Sequence, residues 1–439
     1  MPVNRSITRR RFVQSAAAAA FGAPYVIPSG LLASSPRGQG ARPAPSNRIT
    51  MALVGCGSMG GANLNSFLGQ PDAQVLAVCD PDRRHRDEKK RTVEQHYAKQ
   101  RADGTFAGCD AVNDFRDVMA REDIDAVIQA TPDHWHALVV IAAAKSGKDC
   151  YGEKPLSLTI EEGRAMADAV RLNGRVFQTG SQQRSDARFR FACELVRNGR
   201  LGTIHTVTCG LPTAPVTGNH PTIPVPEGFD YDLWLGPAPW APYCENRTHW
   251  NFRWIFDYSG GQVTDWGAHH IDIAHWGLGL EETGPIEVEG VGEFPADGLY
   301  DVATNYRFTA RYRTGVEIIV TNKVENGVKW EGEHGWVFVS RSRIDAEPKW
   351  LLEETIRPHE INLPRNNGHH RDFLDCVRSR RQTIAPIEHA HRTITVAHLG
   401  NIAMILGRKV RWNPDTEQFV DDPVATKMRG RALREPWVL

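Results

Sequence analysis

The stretch Arg48–Gly61, RITMALVGCGSMGG, runs an apolar strand straight into a glycine turn, and the residues after the turn read as a helix. Gly55, Gly57 and Gly60 fall in a G-x-G-x-x-G spacing, with Cys56, Ser58 and Met59 between them. Such a turn lets backbone come close to a ligand and points helix N-terminal amides at a pyrophosphate. Alone the spacing says little in a chain with 39 glycines. It gains weight from Asp80, which closes the next apolar run, AQVLAVCDPD (Ala73–Asp82), where an acid accepts hydrogen bonds from an adenosine ribose. The pair points to a dinucleotide site, and to NAD rather than NADP, because an acid there repels a 2′-phosphate. Arg83 and Arg84 argue the other way, since a nearby arginine accommodates that phosphate.

Outward from this core the pattern repeats. IDAVIQATPDHWHALVVIAAAKSGKDCYGEKP (Ile124–Pro155) reads strand, loop, helix, strand, and strands alternating with helices build a doubly wound parallel sheet. The expected organisation is an N-terminal extension to residue 47, a Rossmann domain over 48–175 and a second α/β domain over 176–439. In the second part the period falls to two. Along NYRFTARYRTG (Asn305–Gly315), Tyr306, Phe308, Ala310 and Tyr312 share one face, so one side of that sheet is buried and the other wet. Helical periodicity returns from HHRDFLDCVRSRR (His369–Arg381) to LGRKVRW, and these helices are expected to pack back on the domains.

A chain of 439 residues is long enough for two cores. Lys+Arg equals Asp+Glu at 52 each, which argues against binding a phosphate backbone, so no nucleic-acid partner is expected. The eight cysteines are scattered without metal-like spacing and read as buried thiols. Near the start, TRRRFVQ from Thr8 sets Arg9 and Arg10 before an apolar run from Phe12 to Ile27. That run is short and interrupted by Gly22 and Pro24, so it reads as a twin-arginine export signal to the periplasm and not as a membrane span.

Hydride transfer from an alcohol needs a group to take the hydroxyl proton. Lys154, in CYGEKP, sits at the carboxyl end of a strand, the edge where such sheets bind ligands. In GGQVTDWGAHHIDIAHWGLG (Gly260–Gly279), Asp265 and His269 are four apart and would share one face of a helix as an acid/base pair. Asp265, His269, Asp272 and His275 are metal-ligating types, but one helix cannot aim all four at one ion, and no metal site is assigned.

The glycine loop, ATPDHWHA, GEKP and TDWGAHHID, in this order, resemble the glucose-fructose oxidoreductase / inositol dehydrogenase / MocA (Gfo/Idh/MocA) family over residues 48 to 412. The resemblance implies a Rossmann domain followed by an α/β domain with a large, open, mostly antiparallel sheet, used in that family for assembly into dimers or tetramers. It makes Lys154 catalytic, with Asp265 and His269. Thr131, Pro132 and His136 match the loop beside the cofactor, Glu153 the acid near the nicotinamide ribose, and a cis bond is expected before Pro155. GSQQRSDARFR (Gly180–Arg190) departs from a plainer family loop, making Gln183 and Arg184 candidates to hold substrate hydroxyls. Arg253, Trp254, Trp266 and His270 are the other substrate candidates, aromatic faces suiting sugar rings.

The expected activity is oxidation of a sugar or polyol secondary alcohol. An exported enzyme finds little free NAD, so the cofactor is expected to stay bound and turnover to be redox-neutral. The alternative is a redox-assisted glycoside hydrolase or lyase working through a transient keto-sugar.

Overall fold

The computed structural model describes residues 47–439; the twin-arginine stretch lies outside the described residues. The first sheet has six parallel strands, β1 (Ile49–Val54), β2 (Ala73–Cys79), β3 (Asp110–Val112), β4 (Ala126–Gln129), β5 (Asp149–Gly152) and β6 (Phe177–Thr179), in the order 3-2-1-4-5-6. That order is doubly wound, with a crevice where the chain reverses between β1 and β4. Strands covered on both faces run apolar, as β4 does over Ala126, Val127 and Ile128, and all four of its residues, Gln129 at the carboxyl end included, are buried. β6 lies beyond residue 175, where this domain was expected to end; its three residues are buried and pair with β5. The covering helices are α1 (Ser58–Leu68), α2 (Arg83–His96), α3 (Asp133–Lys145) and α4 (Ile160–Leu172). The charge-rich α2 fully buries only Val93.

The chain then continues through α5 (Ala187–Arg197), β7 (Ile204–Gly210), a short α6 (Gln262–Asp265) and α7 (Gly267–Leu278). Next are β8 (Glu287–Glu293), β9 (Asn305–Arg311), β10 (Glu317–Thr321), β11 (Gly327–Gly332), β12 (Gly335–Val339) and β13 (Ile344–Glu347). Last come α8 (His369–Ser379), α9 (Ile387–Leu406), β14 (Val410–Asn413) and β15 (Gln418–Phe419). The strands form a nine-stranded sheet in the order 13-12-11-7-10-9-8-14-15, antiparallel except where β7 meets β10. Tyr306, Phe308, Ala310 and Tyr312 are all buried, β9 lying under α9 while α5 and α7 cover the neighbouring strands. Full burial of Phe308 alone contributes roughly 1.5–3 kcal/mol, and Gly400 lets α9 come down onto its ring.

The C-terminal helices do pack back: α8 lies on α1, while α9 runs between α4 and α7. This joins the two sheets around one crevice. No described helix is long and apolar enough to cross a membrane. All eight cysteines are buried and free.

Candidate active site

Register decides which residues meet. Val54 of β1 pairs with Gln129 of β4, Gln129 with Gly152 of β5, and Val54 with Cys79 of β2. One step beyond these partners stand Gly55, Ala130, Glu153 and Asp80, a row along the carboxyl edge of the sheet. Gly55 has φ +92°, and a Cβ there would strike the Ala130 carbonyl; a Cβ on Gly60 would strike the carbonyl of Gly55. Both positions therefore need glycine to close the turn. Gly57 differs, because a Cβ on it would meet nothing within 4 Å. It faces the open crevice, a cleft of about 500 Å³ that Ser58, Met59, Asp80, Thr131, Pro132 and Lys154 help to line.

The Asp80 carboxylate accepts from the amides of Cys56 (2.7 Å) and Asp82 (2.8 Å), fixing the acid beneath the loop. Burial pushes its carboxyl up, against the pull of those two amides. Arg84 forks onto Asp82 (3.0 and 3.3 Å) and Arg83 reaches Glu227 (3.4 Å), so both arginines already answer carboxylates. An open glycine, an α1 N-terminus and an acid at the end of β2 fit a dinucleotide without a 2′-phosphate.

Glu153 is buried and accepts from Asn63 (2.8 Å), with Gly180 packed against its carboxylate; burial pushes its carboxyl up. His136, expected beside the cofactor, does not line the cleft. Its ring nitrogens lie 2.8 Å from the Pro155 carbonyl and 2.9 Å from that of Thr131, so it ties the two loops together from behind. The Lys154–Pro155 peptide is cis.

At the far end of the cleft Lys154 meets the second domain. Its Nζ is 2.6 Å from Asp265 Oδ1 and 3.3 Å from the Asp265 carbonyl. The Arg253 Nε lies 3.5 Å from the same Oδ1. Burial opposes ionisation of Asp265, yet Lys154 and Arg253 hold its carboxyl below the usual range. Asp265 ends α6 and His269 lies in α7, with Trp266 between the two helices. The acid therefore pairs with Lys154, where it was expected to pair with His269. His269 is 3% exposed, and burial, then the charges of Lys154 and Arg341, depress its pKa well below that of a free histidine. The imidazole is thus neutral near physiological pH.

Several substrate candidates lie elsewhere. Arg184 is 2% exposed and grips both oxygens of Asp272 at 2.7 Å, so it is a structural ion pair inside the core. The His270 Nδ1 is spent on the Gly210 carbonyl (2.9 Å), and Trp254 is buried in an aromatic cluster with Tyr231, Trp234 and Tyr258. Gln183 is also buried, away from the cleft wall. Arg253 does line the cleft, sandwiched by Trp250 and Phe252 at 4.3 and 4.7 Å. Trp266 is half-buried, its ring edge-on to His269 and covered by the Arg341 guanidinium at 4.5 Å. Of the metal-ligating types on α7, Asp272 holds Arg184 and His275 bonds the Tyr312 hydroxyl (2.6 Å).

The sequence reading missed Asp133. It lines the cleft one residue past Pro132, accepts from Ser259 of the second domain at 2.6 Å, and burial pushes its carboxyl up to about 7. An acid in the first turn of a helix ordinarily serves the helix dipole, which hid this one. Also missed was a trio at the mouth of the cleft: Asp82, His85 and His249 bring ligand-type atoms within 4.8 Å of one another.

Two family profiles match in order: an oxidoreductase-family NAD-binding Rossmann fold over residues 49–181, and the C-terminal alpha/beta domain of that family over 216–439. Inositol 2-dehydrogenase of Rhizobium meliloti is 28% identical over 343 residues, 77% of this chain and 85% of that protein. The uncharacterized oxidoreductase YrbE of Bacillus subtilis is 25% identical over 236 residues, so the chain spans about half of its length, 55%. A glycosyl hydrolase family 109 protein of Shewanella baltica is 30% identical over 176 residues, 38% of this chain and 37% of that one. Among solved structures, the WlbA dehydrogenase of Bordetella pertussis, crystallised with NADH and UDP-GlcNAcA, shares the fold at a TM-score of 0.59 and 19% identity, over 83% of this chain and 99% of that one. A glycine loop that fits a dinucleotide, a second domain that closes on it and two profiles in register with both lead to one assignment: the protein belongs to the Gfo/Idh/MocA oxidoreductase family.

Proposed function

We propose that the protein oxidises a secondary alcohol of a sugar or polyol with NAD that stays bound, and passes the hydride on to a second sugar reduced in the same site. The observation that carries this reading is the 2.6 Å contact of Lys154 with Asp265, made across the crevice at the strand edge beside the glycine loop. NAD, when bound, supplies the hydride acceptor for the alcohol carbon and, once reduced, the donor that passes it on. The Lys154 ammonium polarises the substrate hydroxyl, Asp265 holds that ammonium in place, and neutral His269 takes the hydroxyl proton. Asp133, on its Ser259 hydroxyl, adds a carboxyl able to hold or release a proton near neutral pH. The inositol dehydrogenase relative supports the substrate class.

Retention of the cofactor is supported by the N-terminal twin arginine, read as an export signal to the periplasm, where free NAD is scarce. The same reading has it assemble as a dimer or tetramer through the open sheet. The test is mass spectrometry of the purified protein after gentle denaturation, with sugar products followed by NMR. The expected result is one NAD per chain and conversion without added cofactor. Protein that carries no dinucleotide, and works only when NAD is supplied, overturns the bound-cofactor reading.

A second reading is favoured by the glycosyl hydrolase family 109 relative and by a relative named 2,7-anhydro-N-acetylneuraminate hydratase. Here the ketone is transient and His269 takes the proton from the neighbouring carbon, so that the aglycone is eliminated. Release of the aryl alcohol from an aryl glycoside without added NAD selects this reading; a keto-sugar alone selects the first.

A further inference from the structure

The end of the cleft beside Asp80 is covered by the second domain. Between β7 and α6 the chain leaves the nine-stranded sheet and crosses to the loop after β2. There Arg83 donates its amide to the Gly228 carbonyl and Asp230 donates its amide to the Pro81 carbonyl, both at 2.9 Å. Asp82 and Phe229 thereby form an antiparallel bridge between the domains. The Asn113 amide adds a bond to the Asp230 carboxylate at 2.9 Å. Farther along, the same segment is fastened to α3, where the Trp234 carbonyl accepts from the Trp135 indole at 2.9 Å. Gly236, with φ +49°, comes so close that a Cβ on it would strike the Trp135 ring. Leu233 and Trp234 lie between these two fastenings and line the cleft.

A second pass of this excursion brings His249 and Trp250 to the cleft. His249 has φ +56°, a left-handed backbone uncommon outside glycine. Its ring stands edge-on to His85 at 4.7 Å and stacks on Phe229 at 5.5 Å. Its Nε2 is buried and, at 3.6 Å from Asp82 Oδ2, makes no hydrogen bond. Asp82, His85 and His249 do not suit a metal ion, because Arg84 takes both oxygens of Asp82 and a cation would have to displace a guanidinium. Adenosine, whose hydroxyls and ring nitrogens donate and accept, is chemistry that answers a buried imidazole beside the ribose acid Asp80. Resting on the reading of this crevice as a dinucleotide site, we infer that residues 228–250 form a clasp over the adenosine half of the cofactor, with His249 against the nucleoside, so that NAD leaves only when the bridge between Asp82 and Phe229 opens. Retention is then built into the second domain and does not depend on the glycine loop alone.

A disulfide across the bridge tests this. Arg83 and Gly228 stand opposite each other beside it, and a Cβ on Gly228 would point into the Arg83 side chain. Residues so paired have Cα atoms about 5.5 Å apart, within disulfide reach. Both positions are exposed, whereas the eight native cysteines are buried and stay out of the reaction. The full chain carrying Arg83→Cys and Gly228→Cys is loaded with NADH, oxidised, and mixed with excess NAD while tryptophan-sensitised NADH fluorescence reports release. The oxidised form should release NADH at least about tenfold more slowly than the reduced form, and dithiothreitol should restore the faster rate. In the opposite direction, Asp230→Ala removes the tie to Asn113 and the cap on the Leu233 amide without altering a residue that lines the cleft. It should release NADH about tenfold faster than the parent. A disulfide that fails to form, equal release from the oxidised and reduced forms, or an unchanged rate in Asp230→Ala overturns the inference. NADH that binds and leaves both forms alike sinks only the clasp, whereas protein that takes up no NADH at all sinks the dinucleotide reading on which it rests.

Discussion

At residue scale, Lys154 and Asp265 stand 111 positions apart in the chain and 2.6 Å apart in the fold. Each carried a signal of its own, a Glu-Lys-Pro after a strand and an acid in a glycine-led helix, but no local pattern said that they face each other. Arg184 shows the converse. Its place in a polar loop made it a substrate candidate, yet it is buried against Asp272 with a bidentate grip. Removing one partner of such a pair leaves a buried charge, so Arg184→Ala should lower unfolding free energy by about 3–5 kcal/mol in chemical denaturation. A variant of unchanged stability but raised KM would restore the substrate role. Spacing places a residue near a site; which way its side chain points depends on the element opposite. His270 and Trp254 were misjudged for the same reason, and Asp133 was passed over because its partner, Ser259, lies 126 residues away.

At the scale of elements, the strand, turn and helix from Ile49 to Leu68 were legible because their interactions are local: an apolar run, a fixed glycine spacing and a helix start. The glycines nevertheless do different work. Gly60→Ala drives a methyl into the Gly55 carbonyl and should prevent the turn from closing, read as loss of folded protein or a large drop in Tm. Gly57→Ala meets only open space at φ −68°, so the protein should fold with near-normal Tm and purify with little bound dinucleotide. Equal cofactor content in Gly57→Ala and the parent would mean that the pyrophosphate lies elsewhere. The nine-stranded sheet was legible only as alternation along β9. Its order places β7 between β10 and β11, pairings more than 100 residues apart in sequence that no local period encodes.

For the whole molecule, joining two sheets around one crevice buries many histidines in neutral form. Burial lowers His134, His275 and His369 to about 3 and His270 and His398 to about 4. Unfolded, each binds a proton near pH 6.5, so the stability they contribute is present above that pH and is lost as pH falls toward 4. The slope is up to about 1.4 kcal/mol per pH unit for each histidine protonated only on unfolding. Asp133, raised to about 7, acts in the opposite sense between pH 4 and 7, as do the raised carboxyls of Asp80, Glu153 and Glu162, offsetting part of the loss. Thermal denaturation should show Tm falling between pH 6.5 and 5; a flat or rising Tm over that range would contradict neutral burial. The proposed function, in turn, stands on chemistry at Lys154 beside a bound nicotinamide. Its sharpest test is a single-turnover trace at 340 nm, mixing the protein as purified with a substrate sugar and no added NAD, for the parent and for Lys154→Met. Catalysis by Lys154 on a retained cofactor gives a transient rise of no more than one equivalent per chain in the parent, slowed about 10²–10⁴-fold in a variant that still carries its dinucleotide; product formed at equal rates by both, with no change at 340 nm, would contradict it.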